Sequence, residues 1–199
     1  MNFGKKILFF SFLISCLVFI ASCATFKGRQ LEPVTMKSIP ENNEKPSMEV
    51  NFEYMQYMNG DKTQLFRQSA ENKLHKDFMT IARNSGSFSK VEKDLSNPDI
   101  TTKIIMKDKG SGNMIMAVIT GLSLYIIPSQ STDNYILTAD ITNQTGKEWT
   151  IQMEDYITMY QQIFLLPVMP FKMLPEQAND VQDNMFRTLI LRMHKKEII

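Results

Sequence analysis

From residue 48 to 54 apolar and polar side chains alternate, with Met48, Val50, Phe52 and Tyr54 sharing one face. A period of two predicts a half-buried strand. Asn59-Gly60-Asp61 interrupts it, with Asp61 a suitable N-cap. The spacing then changes to four. Phe66, Ala70, Leu74, Phe78 and Ala82, widened by Ile81, predict an amphipathic helix over 62–84. Gly86 suits the left-handed position that ends such a helix. After a turn at Asn97-Pro98, alternation returns in Ile100, Thr102, Ile104 and Met106. It returns twice more, in Tyr135 to Ile141 and in Trp149, Ile151 and Met153, around a 143–147 loop of hairpin length. Val181, Met185, Leu189 and Met193, with Phe186 and Ile190 beside them, predict a closing helix over 176–194. The order predicts one α+β domain over 48–199. Its expected form is a mostly antiparallel sheet of about four strands with two main amphipathic helices on one face.

Two apolar stretches do not fit this pattern. Residues 114–127 (MIMAVITGLSLYII) carry no charge and stop at Pro128, and they are too few to span a bilayer. Residues 163–174 (IFLLPVMPFKML) contain Pro167 and Pro170, which block a continuous helix and a central strand, so a rigid extended connection is expected. Packing in the core is the plain expectation for both. The sharper one is a joint contact surface for a partner or a lipid, built on Met114, Ile115, Leu122, Leu124, Phe164, Leu165, Met169 and Phe171.

The N-terminus has the layout of an export signal. Lys5 and Lys6 precede an apolar run over 7–21, which ends in Ile20-Ala21-Ser22-Cys23. These four residues resemble the bacterial lipoprotein signal: an aliphatic residue, two small ones, then an obligatory Cys. The resemblance implies cleavage between Ser22 and Cys23, a diacylglyceryl group on the Cys23 sulfur and an N-acyl chain on its amine. Two or three chains, at about 0.8 kcal/mol per buried methylene, anchor far more firmly than one. Cys16 leaves with the leader 1–22, so Cys23 is the only Cys of the mature chain and no disulfide can form within it. Ala24 follows Cys23, which resembles the pattern sorted to the outer membrane, with the body on the periplasmic side. Residues 23–47 are polar, with Pro33, Pro40 and Pro46. They are expected to be a flexible tether with a reach of about 25–30 Å.

Ser85-Gly86-Ser87-Phe88-Ser89-Lys90-Val91, followed by Pro98-Asp99-Ile100, resembles small α+β envelope lipoproteins of the transport-auxiliary and secretion-accessory kind. That resemblance implies a compartment and a fold; a protein partner in the envelope is a separate expectation.

Catalytic chemistry is not apparent. With 22 basic and 21 acidic side chains there is no global field to capture nucleic acid, and no basic stripe that would track phosphates. His75 and His194 lack ligand spacing or a positioned carboxylate, and Gly110-Ser111-Gly112 is a lone GxG. Glu154 and Asp155 read as solvated charge. The expectation is a non-enzymatic, lipid-anchored envelope component without metal or cofactor, acting by binding. The competing expectation is a carrier of lipid or another apolar ligand, with the two apolar stretches lining its cavity.

Overall fold

A computed structural model describes residues 23–42, 44–63, 67–165 and 167–199. The leader 1–22, with Ser22 of the cleavage position, and Phe66 lie outside the described residues.

Seven strands form one mixed sheet. They are β1 (Cys23–Lys27), β2 (Ser47–Met58), β3 (Asp61–Thr63), β4 (Lys90–Glu92), β5 (Ile100–Gly112), β6 (Ser129–Asn143) and β7 (Glu148–Gln161), with spatial order β1-β7-β6-β5-β2-β3 and β4 beside β2. The three α-helices are α1 (Arg67–Asn84), α2 (Met114–Leu122) and α3 (Leu174–Lys195). This corrects the expected sheet of about four antiparallel strands with two helices, although the class remains α+β. The central pair, β2 and β5, is parallel, with Met48 opposite Ile100 and Met58 opposite Gly110. Parallel neighbours need a crossover, and α1 lies in the chain between them. Asp61 is likewise no helix cap: it opens β3 and pairs with Met58.

The chain forms two compact units. Among the described residues one comprises Cys23–Lys27, Gly112–Thr132 and Ile157–Ala178, and the other comprises Gly28–Ser111, Asp133–Tyr156 and Asn179–Ile199.

The second unit holds the apolar core. Met48 and Val50 of β2, Ile104 and Met106 of β5, and Leu137, Ala139 and Ile141 of β6 are all fully buried. The helices bury the residues their four-residue spacing selects: Leu74, Phe78 and Ala82 on α1, and Val181, Met185, Leu189 and Met193 on α3. Arg83 closes the end of α1 by donating to the Val91 carbonyl from Nε (3.1 Å) and from a terminal nitrogen (2.7 Å). At the hairpin, Asn143 Oδ1 accepts from the backbone of Thr145 and Lys147, and Gly146 takes the left-handed φ of 80°. Asp155 is buried rather than solvated, and its Oδ1 accepts from the amides of Gln30 and Tyr156.

Residues 23–47, expected as a tether, carry a strand and a series of hydrogen bonds. Within the second unit, the Val34 amide donates to Asn184 Oδ1 (2.7 Å), Asn184 donates to the Glu32 carbonyl, and Arg187 Nε donates to the Val34 carbonyl (2.6 Å). Helix α3 therefore holds this stretch in place. At Gly28 the backbone lies against the ring of Tyr156, whose carbonyl accepts the Gly28 amide at 2.7 Å. A Cβ here would fall inside that ring. Gly28→Ala should therefore cost about 1–3 kcal/mol by overpacking. A urea midpoint equal to that of the parent would show that the ring has room to move.

Candidate functional site

The first unit is built the opposite way to the second. Among the described residues its buried side chains are Ala24, Thr25, Thr120, Ser129, Ile157 and Gln177, of which only Ile157 is a large aliphatic. Of the 15 large apolar side chains exposed among the described residues, 14 belong to this unit; Met58 is the exception. Charge is nearly absent as well. Among its 48 residues from Cys23 onward, only Lys27, Lys172 and Glu176 are charged.

Helix α2 shows the inversion most clearly. Asn113 caps it, with Oδ1 accepting the Met116 amide at 3.1 Å. The one buried residue is Thr120, whose hydroxyl is satisfied by the Met116 carbonyl at 2.8 Å. Met114 (77% exposed), Ile115, Val118 and Leu122 (81%) face outward. A helix that is apolar all round belongs in a protein core or in lipid. Nine residues at 1.5 Å rise cover about 14 Å, well short of a bilayer core. No helix among the described residues is long and apolar enough to cross a membrane.

Beyond α2 the chain makes a tight return. The Tyr125 amide donates to the Thr120 carbonyl (2.8 Å), and Leu124 and Tyr125 take left-handed φ values of 55° and 63°. Neither is a glycine, so each is strained by roughly 1–2 kcal/mol. The turn takes the chain out of the helix, and Leu124 stands exposed on it. Strained backbone of this kind clusters at functional sites.

A backbone hydrogen bond joins the second apolar stretch to the first. The Ile163 amide donates to the Tyr125 carbonyl at 3.0 Å. In place of an extended connection there are two 3-10 turns, at Ile163–Leu165 and Met169–Phe171. Phe164 and Phe171 stand 75% and 74% exposed, Leu165 is half-buried, and the Met169 side chain lies outside the described residues. The predicted contact residues Met114, Ile115, Leu122, Leu124, Phe164 and Phe171 thus all stand at the surface of one unit.

Cys23 belongs to the same unit and is the first residue of β1. It sits opposite Gln161 in the antiparallel pairing with β7. Burial pushes its thiol pKa up, and a hydrogen bond with Gln161 pulls the other way. Gln161 Oε1 accepts in turn from the Ser129 hydroxyl at 3.0 Å. Two residues along, the Thr25 amide donates to the Lys172 carbonyl at 2.9 Å. The strand that begins at the position expected to carry acyl chains is therefore paired with β7, and its Thr25 is bonded to Lys172, the neighbour of Phe171. Sequence reasoning missed this link because it placed Cys23 on a loose tether.

The two histidines are placed apart in roles that packing explains. His75 stacks on Phe52 at 6.0 Å between ring centres, and burial is the main cause of its lowered pKa. His194 Nε2 lies 2.9 Å from the Ser87 hydroxyl, and desolvation lowers its pKa too. Ser87 is fully buried, so this pair does not present a nucleophile to a substrate. Among the described residues no three His, Cys, Asp or Glu side chains are placed to hold a metal ion.

One polar cluster was not anticipated. Tyr54 donates to Asp108 Oδ2 at 2.7 Å, while Asp108 Oδ1 is buried without a partner. Desolvation raises the Asp108 carboxyl to a pKa of about 6, and Asp133 pushes it the same way; the hydrogen bonds from Tyr54 and Gln56 oppose it. Burial raises Asp133 as well. The alternation of β5 places Asp108 on the same face as Ile104 and Met106, a signal that composition alone does not carry. No protein-family model matches the chain, and no curated protein is detectably similar to it in sequence.

Proposed function

We propose that the chain is a lipid-anchored accessory protein of the bacterial cell envelope, held through Cys23 and acting by binding rather than by catalysis. The observation that carries the reading is the Ile20-Ala21-Ser22-Cys23 signal, standing at the head of a unit that presents nearly all of the exposed apolar side chains. The residue after the cysteine, Ala24, favours the outer membrane, with the body facing the periplasm. Acyl chains on Cys23 hold the body at the membrane, and confinement raises its effective concentration against an envelope protein partner. No cofactor is needed for such a role.

Cys23→Ser tests the anchor. The variant should fold normally by circular dichroism and shift from the membrane pellet to the soluble fraction after an alkaline carbonate wash. Mass spectrometry of the parent's N-terminal peptide should show a diacylglyceryl group on Cys23. A variant that stays in the washed pellet, or a parent peptide without acyl chains, would sink the reading.

A further inference from the structure

We infer that the exposed apolar face of the first unit rests on the lipid surface, as a second, non-covalent contact beside the anchor. The inference builds on the proposed acylation of Cys23 and names what covers the face.

Lipid is favoured over a protein partner for three reasons. First, no tether separates the anchor from the face. Cys23 is itself a strand residue paired with Gln161, so acyl chains on its sulfur would enter the bilayer directly from the sheet. The unit would then lie at headgroup level and could not hang a tether's length away. Second, the exposed residues are aliphatic and phenyl groups with almost no charge among them. A protein interface normally has a polar rim, and its charges set register and partner choice. Residues 112–132 carry no charge, and a lipid surface requires none. Third, α2 is apolar around most of its circumference and rests on Thr120, so it is suited to an apolar solvent rather than to one complementary groove. The two lysines of the unit, Lys27 and Lys172, have long stems that let a charged head stay in water while the chain below it lies in an apolar layer. Helix α2 would lie in the interface rather than across it.

The test uses the native lipoprotein, purified and reconstituted into vesicles of phosphatidylethanolamine and phosphatidylglycerol at about 3:1. Leu122→Cys, Phe171→Cys and, as a water-exposed control in the other unit, Lys103→Cys each receive a nitroxide label. Acylated Cys23 is the only other cysteine of the mature chain and does not take the label. Collision with dissolved oxygen and with a water-soluble nickel chelate then reports depth. Labels at 122 and 171 are expected to be at least fivefold less accessible to the chelate than the label at 103, with higher oxygen accessibility. Chelate accessibility equal to that at 103 would overturn the inference. So would dipolar broadening that grows with protein density at 122 or 171, since a second copy would then be the occupant. The mass of the N-terminal peptide separates the two readings. An unacylated chain that still floats with vesicles and protects 122 and 171 removes the anchor and keeps the contact; one that does not float removes both.

Discussion

Phe186→Ala should remove a large part of the protein's margin of stability, while Phe164→Ala, the same chemical change, should leave it nearly untouched. Phe186 on α3 is fully buried. Its ring meets Phe78 edge-on at 5.4 Å and 75°, and Phe52 at 6.1 Å and 82°. One side chain thus joins α3 to α1 and to β2, within the unit that holds the apolar core. Removing it forfeits the transfer energy of the ring and leaves a cavity between two other rings, a loss of about 3–5 kcal/mol. Against a total of about 5–15 kcal/mol for a typical domain, that loss is large. Phe164 stands 75% exposed, and a surface truncation of this kind stays within about 0.5 kcal/mol. Urea denaturation of both variants checks the pair. A loss below about 1 kcal/mol for Phe186→Ala would show that the three rings are not the keystone of the core. A loss above about 2 kcal/mol for Phe164→Ala would show that the apolar face is covered within the protein itself.

The same contrast explains what could be read from the sequence. Spacing identified most of the residues that face the core: the rows of α3, β5 and β6 are buried as their periods require, as are Leu74, Phe78 and Ala82 of α1 and Ile151 and Met153 of β7, while Ala70 and Trp149 are only half-buried. Periodicity is a local property, and it reports a face without naming the neighbour. Hence the parallel pairing of β2 with β5 went unseen, since Met48 and Ile100 meet only after a helix has carried the chain across. The strand at Cys23–Lys27 was hidden for a related reason. Five residues give too little pattern to count, and the prolines and polar residues after Lys27 suggested a tether. For the candidate site, the sequence supplied the residue list. Lack of charge over 114–127 marked the stretch as unusual, but a buried segment and a lipid-facing one have the same composition. Exposure of Leu122 and Phe171, and the hydrogen bond from Ile163 to Tyr125, are properties of the folded chain alone.

The Asp108 carboxyl should lower stability as pH rises from about 4 to about 7, against the opposite contributions of His75 and His194, and Asp108→Asn should remove that contribution. Asp108 is buried on the core face of β5. Its surroundings are acidic or neutral: Tyr54 donates to one oxygen, Gln56 hydrogen-bonds it, and the carboxyl of Asp133 raises its pKa further. Burial also pushes the hydroxyls of Tyr54 and Tyr135 to higher pKa, so both stay neutral. In the folded state the Asp108 carboxyl titrates at about 6, against 3.8 for the ordinary group. Between these values the native protein holds a proton that the unfolded chain has released. Its stabilising contribution is therefore complete below about pH 4 and is lost as pH rises through 6. A gap of that size between the folded and unfolded chains corresponds to about 3 kcal/mol. Asp133, raised by burial, adds to the slope with the same sign. In Asp108→Asn the Tyr54 hydroxyl still finds a carbonyl oxygen, and no charge has to be buried at neutral pH. Denaturation midpoints taken from pH 4 to 8 should show the variant close to the parent at pH 4 and up to about 3 kcal/mol more stable at pH 8. Parallel curves for parent and variant across that range would mean that water reaches the Asp108 carboxylate and that the charge is not buried after all.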